Sequence, residues 1–288
     1  MEKGPFSLYD FLGYFIPGAL ALYLIFIGLD GDLTDFSDNF FLEKEKKFIE
    51  IPIYIIVFYI IIAYCLGHFL SFFSTLTVEK YTRLFYGDPS KNLLSDIERK
   101  RYEIKFQNFT FPKFREIIRS NLGLLFILPL IIFDSLMYFF KYKHGYMKKI
   151  PSPYRSLVMK KINDAFIQIG YNQDVFANVD NNYHQLLIHY NYEYTQTHGS
   201  KLMNYVSLYG FLRVITLISS IYLTYLAFYF YKNYSVELSW TAGKLSLLIF
   251  SKLIFYGIIT FIFYLGYLKF YRRYTLENLM LILIVKKP

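Results

Sequence analysis

Three sets of residues in this chain have types and spacings that could do chemistry: a group of histidines, runs of cations, and polar residues inside apolar stretches. His144, His184, His189 and His198 lie in one polar region with Asp180, Asn191 and Glu193 close in sequence, a mixture that serves acid–base or metal chemistry. The pattern argues against both. His184 and His189 are five residues apart, not the four that set two ligands on one helix face, and there is no HExxH. Cys65 stands alone in an apolar run, which leaves no thiolate metal site and no disulfide framework. GxSxG, Walker A and GxGxxG motifs are also absent. No catalytic residue, metal site or cofactor is expected.

The cations are better placed for recognition. Arg99, Lys100 and Arg101 follow one another, and the pairs Lys148–Lys149 and Lys160–Lys161 come later in the same region. Guanidinium and ammonium groups suit phosphate oxygens. Such a surface binds a nucleotide or oligonucleotide, or else sits against anionic headgroups, where each cation contributes about 1 kcal/mol. The third set is intramembrane. Arg213 lies roughly 9 Å into the apolar stretch Ser207–Tyr231 at 1.5 Å per residue, followed by Thr216, Ser220 and Thr224, while Ser251, Lys252 and Thr260 punctuate a later apolar stretch. Asp10 enters the first apolar stretch from the side on which Arg213 enters its own, and a pair between them lowers the burial cost of both. Lys252 either snorkels outward or faces a water-filled cavity.

These sets need elements to position them, and the composition says which. The chain is 55% hydrophobic with mean hydropathy +0.30, yet 18% charged, so membrane spans alternate with a solvated part. Aromatic residues make up 22%; their rise together with Lys, Ile and Asn is that of an AT-rich coding sequence and does not by itself mark stacking platforms. Apolar runs long enough to cross a bilayer occur at about 8–29, 51–74, 207–231 and 244–268. The first is too long for a signal peptide and lacks a small-residue cleavage site, so it reads as a retained helix; Pro17 should kink it.

Charge orients the spans. The loop at 30–50 nets −4 and residues 75–206 net +7, out of +9 for the whole chain. Lys269, Arg272 and Arg273 follow the last span. The positive-inside rule therefore puts the 30–50 loop outside and the middle block and both termini in the cytoplasm. A fifth apolar run, 122–140, contains Pro129 and Asp134 and has basic residues on both sides, which predicts a re-entrant, interfacial or domain-buried segment and not a span. Helical spacing recurs within the middle block, a short strand is compatible with 174–183, and the tail 275–284 is too short to span. The expected class is mainly α: a four-span helical membrane protein of the bacterial inner membrane, with a helical or α+β cytosolic domain inserted between spans two and three. Its divisions are 1–74, 75–206 and 207–288.

The opening Tyr9–Gly18, YDFLGYFIPG, with Leu208–Arg213, LYGFLR, resembles bacterial multi-span proteins of anti-phage defence loci, and the overall plan resembles the membrane effectors of Hailong-type defence. The resemblance implies an oligomeric channel controlled by a nucleic-acid product of a partner nucleotidyltransferase. It covers 16 positions and carries over architecture, not site residues. The functional expectation is a ligand-gated pore on the symmetry axis of a homo-oligomer, taken as a tetramer. Its ligand would be an anionic nucleotide or oligonucleotide engaging the seven cations named above. A non-conducting membrane scaffold is the alternative; a lipid-modifying enzyme using the histidines is the third.

Overall fold

The computed structural model of the chain describes residues 8–30, 53–94, 122–140, 145–171, 176, 183–194, 198–234 and 240–284. The described residues are overwhelmingly helical, without a strand among them. Arg99, Lys100, Arg101 and most of 174–183 lie outside them. In chain order the helices are α1 (8–30), α2 (53–86), α3 (Pro89–Leu94), α4 (Leu128–Phe139, entered through a 3₁₀ segment Leu122–Ile127), α5 (Ser152–Gln168), α6 (Tyr183–Tyr194), α7 (Gly199–Tyr234) and α8 (Trp240–Leu281). Among the described residues three helical stretches are long and apolar enough to cross a membrane: Ile53–Leu94, Gly199–Tyr229 and Phe250–Leu281. Phe11–Ile25 of α1 and Gly123–Met137 form shorter apolar helices.

Helices α1 and α2 meet through glycine. A side chain on Gly18 would strike the Ala63 carbonyl, and one on Gly67 would strike the backbone of Tyr14. The two backbones are thus in direct contact, the arrangement that small residues permit in an apolar solvent, where close packing replaces the hydrophobic effect between helices. Pro17 cannot donate to the carbonyl four residues back. Just before it the helix widens into a π turn, Phe11–Phe15, in which Ile16 N–H bonds the Phe11 carbonyl. A second π turn, Thr75–Glu79, interrupts α2, with Lys80 N–H on the Thr75 carbonyl. Gly87, at φ 72°, ends that helix in a backbone conformation that disfavours a side chain.

Helices α7 and α8 form a long antiparallel hairpin and the main frame of the bundle. The face that α8 buries repeats at alternating intervals of three and four residues: Gly257, Thr260, Tyr264, Tyr267, Tyr271, Tyr274, Asn278 and Leu281. That is a heptad seam whose central positions are tyrosines. Its inner residues join Val78, Tyr81, Tyr86, Leu130, Val214 and Leu217 in the first core. The segment 122–139 belongs to this core through Leu124, Ile127 and Leu130. Phe133 occupies the space at Gly257, where a Cβ would strike the edge of its ring, so the segment packs onto the α7–α8 hairpin.

A second core gathers Leu93, Leu94, Ile150, Val158, Ile162, Phe166 and Leu187 around Leu279 and Ile282 at the end of α8. The backbone bond from Ile150 N–H to the Leu93 carbonyl, 3.0 Å, ties its pieces together. The C-terminal 275–284 thus packs on the middle of the chain as a continuation of α8.

Candidate intramembrane charge network

The polar groups inside the first core are linked. Arg213, buried on α7, forms an ion pair with Glu79 at the end of the π turn in α2. Its Nε donates to Ser74 Oγ at 3.0 Å and Nη2 to the Ser71 carbonyl at 3.4 Å. The other Glu79 oxygen accepts from Arg83 Nη2 at 2.6 Å, and Arg83 Nε lies 3.5 Å from Asp88. The π turn explains how α2 does this. One extra residue in the turn rotates the remainder of the helix about its axis, so that Glu79 comes to the side from which Ser71 and Ser74 already meet Arg213. Because the carboxylate is shared by two guanidinium groups and the guanidinium is hydrogen-bonded along its edge, the burial of these charges is compensated.

A second carboxylate, Asp134, lies 1% exposed in the same core. Tyr81 and Tyr86 both donate to it, Tyr86 at 2.7 Å. The Tyr264 hydroxyl is 3.2 Å from Thr82 Oγ1 beside them, and Tyr146 donates to the Gly87 carbonyl at 3.1 Å. The tyrosine seam of α8 is therefore a rack of hydroxyls facing two carboxylates. Each ring fills apolar space; the Tyr264 hydroxyl meets Thr82, whereas that of Tyr267 is buried without a hydrogen-bond partner among the described residues.

The residues expected to act divide between this interior and the surface. Asp10 is half-buried near the start of α1; the carboxylate against Arg213 is that of Glu79. Thr216, Ser220 and Thr260 are buried inside the subunit, and Thr224 is exposed. The hydroxyls of Thr216, Thr224 and Thr260 donate to carbonyls one turn back in their own helices, at 2.7, 3.0 and 2.8 Å. Buried Thr216 and Thr260 are thus satisfied within their helices and do not line a passage through the single subunit. Ser251 and Lys252 are exposed. Lys148, Lys149 and Lys160 are exposed and Lys161 half-buried; the Lys148 carbonyl accepts from Arg272 at 2.9 Å.

Of the histidines, His184 is enclosed with Nε2 unpartnered, and burial pushes its pKa down to about 4. His189 is exposed and His198 half-buried. Among the described residues no three His, Cys, Asp or Glu side chains converge as metal ligands would. Reasoning from the sequence missed Glu79 because it was counted only as one charge among many. Its signal was spacing: Ser71, Ser74, Glu79 and Arg83 recur at near-helical intervals directly after an apolar span. No family model, curated protein or solved structure matches this chain.

Proposed function

We propose that the protein is a four-span membrane effector that forms a ligand-gated pore between subunits of a homo-oligomer and dissipates an ion gradient. The observation that carries this reading is the distribution of intramembrane polar groups. Arg213, Glu79 and Asp134 are compensated inside the subunit, whereas Thr224, Ser251 and Lys252 face outward among exposed apolar side chains such as Phe250, Ile254 and Phe255. The antiparallel α7–α8 hairpin, in register at Tyr222 against Tyr256 with ring centroids 5.2 Å apart, puts these three near one depth. An ammonium left in hydrocarbon costs about 2.5–3.5 kcal/mol or more. A water-filled seam between subunits removes that cost.

The Arg213–Glu79–Arg83 chain joins the spans to the cytosolic end of α2 and is the element that a ligand biases. The resemblance to anti-phage membrane effectors supplies the setting, the bacterial inner membrane, and the positive-inside rule places both termini in the cytoplasm. The resemblance also supplies a ligand class, a nucleotide or oligonucleotide made by a partner nucleotidyltransferase; the charge pattern, not the resemblance, supplies the cations that engage it, Arg99, Lys100, Arg101, Lys148, Lys149, Lys160 and Lys161. The test is ion flux from liposomes carrying the full chain. Flux that Lys252→Glu alters in ion selectivity, and that charge reversal of Arg99, Lys100 and Arg101 uncouples from ligand, supports the pore. Absence of flux at every ligand concentration returns the protein to the scaffold reading, which the self-bonded hydroxyls of Thr216 and Thr260 favour.

A further inference from the structure

Where α2 ends, a cleft of about 180 Å³ opens between the Asp88–Lys91 turn, the start of α6 and the Tyr271–Thr275 turn of α8. Its size is below the roughly 300–1,000 Å³ of sites for drug-sized ligands, so it suits a small head group. Two cations line it, Arg83 and the half-buried Lys91, against one carboxylate, Asp88. The Tyr271 hydroxyl stands beside Arg83. His184 also lines it, and its Nε2 is buried without a hydrogen-bond partner in the protein. An unsatisfied buried nitrogen is costly, and a group that fills the cleft and accepts from it removes the cost.

We propose that this cleft binds a phosphate ester, its oxygens accepting from Lys91 Nζ, the His184 Nε2–H tautomer and Arg83. The described residues that line it include neither Lys148–Lys149 nor Lys160–Lys161. The Arg83 contact that it replaces is the weaker one, to Asp88 at 3.5 Å, while the 2.6 Å bond to Glu79 remains. Because Glu79 also holds Arg213, occupancy of the cleft is transmitted into the spans. That consequence rests on the pore reading; binding itself does not.

Phosphate esters reach the cleft from two sources, a lipid headgroup or a soluble metabolite, and the test separates them. Full-length chain in phosphate-free detergent is titrated calorimetrically with glycerol 3-phosphate, then again in nanodiscs of phosphatidylcholine with and without phosphatidylglycerol. Saturable binding is expected, weakened at least tenfold by Lys91→Glu and by His184→Phe, and unchanged by Lys201→Gln, an exposed cation on α7 outside the cleft. Binding seen in detergent but lost in either kind of nanodisc identifies a lipid headgroup; binding retained in both kinds identifies a soluble ester. Lys91 is half-exposed, so its variant folds and carries the decision if His184→Phe does not. No saturable binding in detergent, or wild-type affinity in Lys91→Glu, overturns the proposal. Binding that leaves liposome flux unchanged removes the link to the pore and leaves the site.

Discussion

Around Tyr264 and Tyr267, α8 packs hydroxyl-bearing rings against the elements that hold Glu79 and Asp134; about three turns further on, at Leu279 and Ile282, the same helix packs carbon against carbon from α3, α5 and α6. The first region is cohesive through directed bonds, Tyr86 to Asp134 and Arg213 to Glu79. The second is cohesive through exclusion of water. In the topology proposed above the first region lies in lipid and the second in water, and the difference follows from those two solvents. Helices in lipid gain little from burying apolar side chains against one another, so polar bonds and backbone contact such as Gly18 against Gly67 take over. A module in water gains about 25 cal/mol per Å² of apolar surface buried and can be plain.

The largest test of that contrast is Arg213→Leu. It leaves Glu79 with Arg83 alone, and thermal unfolding in detergent should show a loss of about 3–5 kcal/mol, mostly recovered by adding Glu79→Leu. A region held by apolar packing alone would show no such recovery. In the second core, Leu187→Ala should cost about 3 kcal/mol through the cavity left at a fully buried position, with no second substitution needed to explain it.

Acid separates the regions next. The His184 imidazole titrates near 4 in the folded chain against an ordinary 6.5. Between those values the unfolded chain binds a proton that the folded chain refuses, so stability falls as the pH falls through the window. The full effect is on the order of 3 kcal/mol. His184→Gln should flatten that part of the pH profile of unfolding. Smallest is Asp134→Asn, about 1–2 kcal/mol, since the amide still accepts one tyrosine hydroxyl and loses only the charge-assisted strength of the bonds. Tyr81→Phe with Tyr86→Phe in the Asp134→Leu background should be milder than Asp134→Leu alone, measured by the same melts.

Much of the fold was legible. Apolar runs of bilayer length, Pro17 as a disturbance in the first helix and the scarcity of strand pattern all come from local composition, because a helix in lipid must satisfy its own backbone. The tyrosine seam was missed: the alternation of Tyr264, Tyr267, Tyr271 and Tyr274 is a heptad signal that high overall aromatic content concealed. For 122–140, the sequence showed Asp134 as an obstacle to burial, and the fold supplies two hydroxyls from α2 that offset it.

Sequence alone determined which residues could not be left in lipid: Arg213, Asp134 and Lys252 each carry a burial cost that any structure must answer. Tertiary structure alone decided the answers. Glu79 against Arg213 is separated by 134 positions in the chain, and its approach depends on one widened turn at Thr75–Glu79. Pairing of charges across such a distance depends on helix rotation and depth, which hydrophobic periodicity specifies only to within a face.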